Sequence, residues 1–313
     1  MTDKTITIGT RGSKLALWQA EKVRALIQAT FPEVHCAVKV IRTKGDKILD
    51  VALSKIGDKG LFTKELERCL LEGEVDVCVH SMKDMPTVLP EGLFIAGVIE
   101  RACPNDVIVA SAKGLTLSDL PADARVATGS LRRVAQLARL RPDVTACEIR
   151  GNIDTRIGRV LAGEFDAAIL AAAGLYRLGL EEQISSLIPT EEMIPAVGQG
   201  AIALEARADD REVAHLCTAI SHQPTLRAVE AERYIMRALE GGCQVPMGAY
   251  ATESEDEQGR RMIHIDAFVA TLDGTRFLRA QASTPVDQAI EAAGKIVDDL
   301  VSQGATEILE ALR

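Results

Sequence analysis

Arginine is unevenly placed along this 313-residue chain. Residues 125–159 carry eight arginines (Arg125, Arg132, Arg133, Arg139, Arg141, Arg150, Arg156 and Arg159) against Asp143, Glu148 and Asp154, a cationic stretch inside a chain of net charge −9. A planar guanidinium binds carboxylate or phosphate bidentately, so the stretch points to an anionic ligand. Arg139, Arg141 and Arg159 read as parts of a solvated helix face. Arg132 and Arg133 differ, because Ser130 reads as a helix cap and puts both in the first turn, where a basic side chain opposes the helix dipole. That placement makes sense when an anion binds there at free backbone N–H groups. Arg11 and Ser13 occupy the corresponding strand-to-helix turn near the N-terminus.

Two further segments carry chemistry. His80-Ser81-Met82-Lys83-Asp84-Met85-Pro86 follows an apolar strand, and ligand-facing residues of open α/β sheets come from the carboxyl ends of strands. Lys83 and Asp84 are either ligand-facing or a surface turn before proline, and His80 reads as a satisfied core histidine. Cys243 follows Gly241-Gly242 on a bare loop that leaves its sulfur accessible, with no neighbouring His or Lys to activate it. The other six cysteines read as small buried hydrophobes. Arg42–Gly60 holds Lys44, Lys47, Lys55 and Lys59 among glycines, and its Lys47–Gly57 part reads as a basic lid that orders on an anion.

These residues need elements to position them. Thr5–Thr10 alternates as a strand, and Lys14–Thr30 places Ala16, Ala20, Val23 and Ile27 on one helical face behind Ser13 as N-cap. His35–Thr43 reads as a strand, Leu61–Leu71 as a helix stopped by Gly73, and Val75–Val79 as the next strand. The grammar then repeats: a strand Arg125–Ala127, a turn, and a helix Leu131–Leu140. Ser13 precedes Gln19 as Ser130 precedes Gln136, and Gly73-Glu74-Val75-Asp76 matches Gly163-Glu164-Phe165-Asp166. Two related α/β lobes follow from this order. Glu100–Asn105 and Pro195–Gly200 are turn-rich and read as crossings between them. After Leu226 a helix runs to Gly241-Gly242, and the acidic segment 251–313 reads as a small α+β domain, with Glu253–Arg260 as a polar hairpin or loop.

Composition removes several classes. Net charge −9 and only ten aromatic residues disfavour general binding to nucleic acid or an anionic membrane. No eighteen-residue apolar run and no secretory leader pattern are present, and the seven scattered cysteines include no CxxC pair. A reduced, cytoplasmic chain without a metal site is the expectation.

The motifs in order resemble the porphobilinogen deaminase (hydroxymethylbilane synthase) family of tetrapyrrole biosynthesis. They are Thr10-Arg11-Gly12-Ser13 through Ala20, Lys59-Gly60-Leu61-Phe62, His80 through Pro86, Ser130-Leu131-Arg132-Arg133, Arg150-Gly151-Asn152, Pro195 through Gly200 and Glu240 through Pro246. The resemblance spans nearly the whole chain and departs at Gly129, where the family often has a second serine. It implies two lobes like those of periplasmic binding proteins (1–100 with 200–220, and 101–199), a small α+β C-terminal domain (221–313), and an active site between the lobes. It further implies a dipyrromethane cofactor joined through a thioether to Cys243, with Ser81, Lys83, Ser130, Arg132, Arg133 and Arg156 on the cofactor carboxylates. Arg11, Ser13, Arg150, Arg177 and Gln199 would serve the incoming substrate, and Asp84 would be the catalytic carboxylate. The implied reaction deaminates porphobilinogen and joins four molecules head to tail, then releases hydroxymethylbilane by hydrolysis, in a monomer without nucleic-acid or membrane partners. The alternative is a two-lobed cytosolic anion-binding protein without catalysis.

Overall fold

The computed structural model describes residues 5–47, 63–240 and 245–312, which form two compact units. The chain leaves the first unit after Ala102, re-enters it at Gly200, and leaves again after Leu226. The first two of these points fall in the turn-rich segments around Pro104 and Gly198.

The chain begins with β1 (Ile6–Thr10), which buries Ile6 and Ile8, and α1 (Lys14–Thr30), which turns Ala16, Ala20, Val23 and Ile27 inward as their spacing requires. Burying each of the larger of these side chains contributes about 1.5–3 kcal/mol. Next come β2 (Cys36–Val40), a short α2 (Lys44–Lys47), α3 (Lys64–Leu71), β3 (Val77–Ser81) and β4 (Leu93–Val98). The second unit opens with β5 (Asp106–Ala110), β6 (Arg125–Ala127), α4 (Leu131–Leu140) and β7 (Thr145–Cys147). It continues with α5 (Ile153–Leu161), β8 (Ala167–Ala171), α6 (Ala172–Arg177) and β9 (Ser186–Ile188). The chain returns for β10 (Ile202–Arg207) and α7 (Arg211–Ala219). It ends with α8 (Gln223–Ala238), β11 (Met247–Glu255), β12 (Arg261–Ala270), β13 (Phe277–Pro285), α9 (Ala289–Ser302) and α10 (Ala305–Glu310).

Two five-stranded sheets share one plan. Their orders are β2-β1-β3-β10-β4 and β7-β6-β8-β5-β9. In each, the first three strands are parallel and the fourth, β10 or β5, is antiparallel to the third. The repeated Gly-Glu-x-Asp segment has the same job in both. Gly73 (φ +72°) and Gly163 (φ +77°) follow α3 and α5 in the left-handed conformation that favours glycine at a helix end. Three residues later, Asp76 Oδ2 accepts from Thr7 N at 2.8 Å, and Asp166 Oδ2 accepts from Arg125 N at 2.7 Å. Each aspartate thereby ties the start of one parallel strand to its neighbour. These pairings also explain why β3 begins at Val77, two residues later than the apolar pattern alone suggests.

The C-terminal segment folds as the antiparallel sheet β11-β12-β13, with α8, α9 and α10 closing a core that includes Ile235, Ile263, Ile265, Ile296 and Ile308. The Glu253–Arg260 stretch is the end of β11 and its turn. Two α/β lobes followed by a small α+β domain is therefore the architecture, as the sequence pattern and the family resemblance together require. Among the described residues no helix is long and apolar enough to cross a membrane.

Candidate active site

The first unit gathers Arg11, Ser13, Gln19, His80, Ser81 and Asp84 around one pocket. The parallel strands β1 and β3 bring this about, because their carboxyl ends lie side by side and α1 starts directly after β1. Ser13 caps α1, its hydroxyl accepting from Ala16 N at 3.2 Å, and the buried Thr10 hydroxyl donates to Ala16 O at 3.0 Å. Gln19, one helical turn further and 2% exposed, donates from Nε2 to Ser81 Oγ at 2.8 Å. The helix thus fixes the serine at the end of β3. A single 3₁₀ turn, Met82–Asp84, comes next. Met82 and Met85 are buried pegs on either side, so Lys83 is half-buried and Asp84 is exposed on a turn that cannot roll inward.

In the second unit the dominant feature is Asp106, which the sequence analysis did not single out. It is fully buried at the start of β5. Arg132 Nη2 donates to Oδ2 at 2.7 Å, and Arg133 Nε and Nη2 donate to Oδ1 at 3.1 and 2.7 Å. Gln199 Nε2 adds a fourth bond, 2.9 Å from Oδ1, and a 2.6 Å bond to Pro104 O. Arg132 Nη1 and Arg133 Nη1 go to the carbonyls of Ile194 (2.7 Å) and Ile169 (2.9 Å). Burial opposes ionisation of Asp106, but the two guanidinium groups and the hydrogen bonds outweigh it and hold its carboxyl well below the usual range. Burial also lowers the pKa of Arg132.

Both arginines already have a partner inside the protein. Arg132 and Arg133 do lie in the first turn of α4, but their side chains are 4% and 7% exposed and have a protein anion as partner. Gln199, expected to serve substrate, likewise uses its amide N–H groups on Asp106 and Pro104. Two buried guanidiniums share a single carboxylate, which leaves the trio with a net positive charge. Arg132 Nε and Gln199 Oε1 are buried without a hydrogen-bond partner among the described residues.

The other expected residues surround different turns of this unit. Ser130 occupies the cap position of α4, yet its side chain makes no capping bond, in contrast to Ser13. In Arg150-Gly151-Asn152 each residue has its own task. Asn152 caps α5 by accepting from Thr155 N at 2.9 Å, and Gly151 (φ +107°) offers its carbonyl to Arg156 Nε at 2.8 Å. Arg150 reaches Glu148 only at 3.7 Å and keeps a buried Nη2 without a partner among the described residues. Arg177 ends α6, where burial pushes its pKa down to about 10.

The three arginines expected on a solvated face are not idle. Arg141 clamps Asp143 at 2.6 Å while donating to the carbonyls of Leu117, Ser118 and Leu120. Arg139 lies over the Phe277 ring, 4.0 Å from its centroid, and Arg159 pairs with Glu164 at 2.8 Å above Phe165. An arginine stacked on a ring or threaded among carbonyls organises loops and tertiary contacts. By contrast, His80 is the satisfied core histidine expected, with Nε2 2.9 Å from Glu205 Oε2. Cys69, Cys78 and Cys217 are buried thiols, and burial pushes Cys217 up to about 12. Cys36, Cys103 and Cys147 are only half-buried. Among the described residues no cluster of His, Cys, Asp and Glu could hold a metal ion. Cys243 and all but the first residue of the Lys47–Gly57 segment lie outside the described residues.

Such an arrangement defines a two-lobed α/β protein with arginine- and serine-bearing turns at strand ends, one of them carrying an exposed carboxylate, and an appended α+β domain. Comparison with known proteins narrows the class. Residues 6–215 match the family model "Porphobilinogen deaminase, dipyromethane cofactor binding domain", and residues 226–302 match "Porphobilinogen deaminase, C-terminal domain". The porphobilinogen deaminase of Desulforamulus reducens is 49% identical over 308 residues, covering 98% of each chain. That of Desulforudis audaxviator is 50% identical over 310 residues, covering 99% of this chain and 98% of its own. The chain belongs to the porphobilinogen deaminase family. Among solved structures, the periplasmic aliphatic sulphonate binding protein SsuA from Escherichia coli shows a TM-score of 0.39 at 16% identity, over 76% of this chain and 71% of its own. That distant likeness carries no argument about ligand.

The family's cofactor is dipyrromethane, whose two pyrroles each carry an acetate and a propionate. The second unit's donors suit such a polyanion. Arg132 Nε and Arg150 Nη2 are buried without partners among the described residues, Ser130 has a hydroxyl that caps nothing, and the Asp106 trio carries excess positive charge.

Proposed function

We propose that this protein is a transferase that deaminates porphobilinogen and joins four molecules head to tail onto a covalently bound dipyrromethane, releasing hydroxymethylbilane by hydrolysis. The observation that supports it most is the Asp84 pocket. An exposed carboxylate, pinned by Met82 and Met85, shares one pocket with Arg11, Ser13 and Ser81. Loss of ammonia from porphobilinogen leaves positive charge on a pyrrole, and a fixed anion stabilises that charge without having to reorganise. Arg11 and Ser13 of the first unit would serve the incoming substrate, and so would Arg150, Arg177 and Gln199 of the second unit.

When bound, dipyrromethane supplies a free pyrrole α-carbon that takes the incoming unit. Cys243 would anchor it by a thioether, and Ser81, Lys83, Ser130, Arg132, Arg133 and Arg156 would hold its carboxylates. Asp106 and Gln199 enter this reading as the residues that hold Arg132 and Arg133 still. Three domains fit the two lobe sheets and the C-terminal sheet: 1–100 with 200–220, 101–199, and 221–313. A cytoplasmic monomer acting on small molecules, without nucleic-acid or membrane partners, completes the reading.

The test combines intact mass with product analysis. Purified protein carrying a dipyrromethane surplus, lost in Cys243→Ser, and forming hydroxymethylbilane from porphobilinogen is the expected result. A protein of sequence mass that binds porphobilinogen and returns it unchanged would support the non-catalytic anion binder instead.

A further inference from the structure

The segment from Ile194 to Gln199, between β9 and β10, is tied down at three points. Ile194 is held by α4: its N–H donates to Gln136 Oε1 at 2.7 Å, and its carbonyl accepts from Arg132 Nη1 at 2.7 Å and Gln136 Nε2 at 3.1 Å. Gly198, in the left-handed conformation (φ +69°), donates its N–H to Glu232 Oε2 at 2.7 Å. Gln199 then reaches Asp106 and Pro104. Val197, between these ties, belongs to the C-terminal core with Ala231, Ile235 and Ala249.

Glu232 lies on α8 and is fully buried. Its other oxygen, Oε1, accepts from Ala251 N of β11 at 2.8 Å, so one side chain joins α8, β11 and the strap. A buried carboxyl group is tolerable only while such bonds are kept. The same strand makes a second approach. A Cβ on Gly248 of β11 would lie 2.6 Å from Pro195 O and 3.2 Å from Arg132 Cδ, so the bare backbone is packed against both the strap and the stem of an arginine. The two elements that brace the strap, α8 and β11, also flank Cys243 in sequence.

We infer that Glu232 and Gly248 are positioning residues for the Arg132–Arg133 pair. Glu232 fixes Gly198, and this sets the neighbouring Gln199 amide on Asp106. Gly248 lets β11 back Arg132 closely. Asp106 then holds both guanidiniums in one geometry. The elements on either side of the anchoring cysteine thus also determine where the arginines stand. That these arginines take cofactor carboxylates rests on the function proposed above; the positioning itself does not.

The test is a pair of double-mutant cycles read by thermal melting. Glu232→Gln keeps one acceptor and turns an N–H toward the second backbone donor, and Gly248→Ala adds the crowding methyl. Each is combined with Asp106→Asn, which removes the group that the strap serves. Neither residue makes a hydrogen bond to Asp106 among the described residues, so independent effects would add. With positioning, the loss of melting temperature in each double variant should fall short of the summed single losses by at least about 2 °C. An additive cycle removes its residue from the assignment, and additivity in both overturns the inference. If Glu232→Gln does not fold, the Gly248→Ala cycle alone decides it. Intact mass supplies a readout that lost stability alone would not move. Glu232→Gln should carry less dipyrromethane mass than Ile296→Val, which loosens the same C-terminal core from α9. Equal loading of the two would overturn the link to the cofactor site. A wild type without the dipyrromethane mass would instead overturn the proposed function, and the melting cycles would still decide the positioning.

Discussion

Replacing Asp106 by asparagine removes the one negative charge that two buried guanidiniums share. The side chain accepts from Arg132 Nη2, from Arg133 Nε and Nη2, and from Gln199 Nε2, and it is fully buried. Asparagine is nearly isosteric, so packing is preserved and the electrostatic effect is isolated. Its carbonyl oxygen still accepts from Arg133 or Gln199, but its amide turns N–H groups toward a guanidinium donor. Breaking a buried ion pair by removing one partner costs about 3–5 kcal/mol, because the remaining charge stays desolvated. For a cooperative body of this size each kcal/mol shifts the midpoint by about 2–4 °C, which gives an apparent drop of about 6–20 °C.

The pH dependence follows from the direction of the shift. Asp106 is held below its ordinary value, so the unfolded chain binds the extra proton and stability rises with pH through that window. The contribution is complete above the unfolded value of about 4 and is lost as pH falls toward the depressed folded value. Thermal scans of wild type and Asp106→Asn should therefore show a constant gap from about pH 5 to 8 that narrows only below about pH 4. Asp119→Asn, an exposed loop carboxylate bonded to Thr116, serves as the control and should shift little. A gap of under 2 °C at neutral pH would refute the reasoning, since it would mean that the two arginines are stabilised without the carboxylate.

Two further expectations test the site from other sides. Asp84→Ala should melt within about 1–2 °C of wild type, since the carboxylate is exposed and its turn is held by Met82 and Met85, yet single-turnover coupling should fall about 10²–10³-fold, with Asp84→Glu losing less; unchanged coupling in Asp84→Ala would remove it from the chemistry. Gly129→Ser should cost no more than about 1 kcal/mol, because a Cβ at Gly129 would lie 3.1 Å from Ile149 O and a shift of a few tenths of an ångström relieves that contact; a calorimetric loss well beyond this would show that the turn cannot give.

The repeat was legible in the sequence because its residues act locally. Gly73 and Gly163 must take positive φ at helix ends, and Asp76 and Asp166 must reach a backbone N–H of the neighbouring strand, so the same letters recur wherever the same corner is built. Ser13 and the buried face of α1 were legible for the same reason, since spacing along one element decides them. Asp106 was not. It stands before Val107-Ile108-Val109 in what reads as an ordinary strand, and its partners lie 26, 27 and 93 residues away. A charged residue opening a strand otherwise buried was the available signal, because burial of an aspartate is tolerable only with cationic partners and so demands a search for them.

The arginine surplus shows the converse limit. Counting charge along residues 125–159 identified a cationic region but could not apportion it. Arg141 is bound up with Asp143 and three carbonyls, Arg139 with an aromatic ring, and Arg132 and Arg133 with Asp106. Each of these consumes local charge or donors in holding the fold. On the proposed reading, what remains for a polyanion is the imbalance: two guanidiniums against one carboxylate, and one buried Nη2 on Arg150. On the proposed reading, that imbalance is also what would make the site selective. A fully neutralised cluster would be more stable without ligand and indifferent to it, whereas a cluster short of one negative charge gains most when a carboxylate arrives. Asp106 neutralises one of the two guanidiniums and not both, so on the proposed reading it belongs to the anion site as much as the arginines do, and it would connect the stability of the second lobe to the binding of carboxylates.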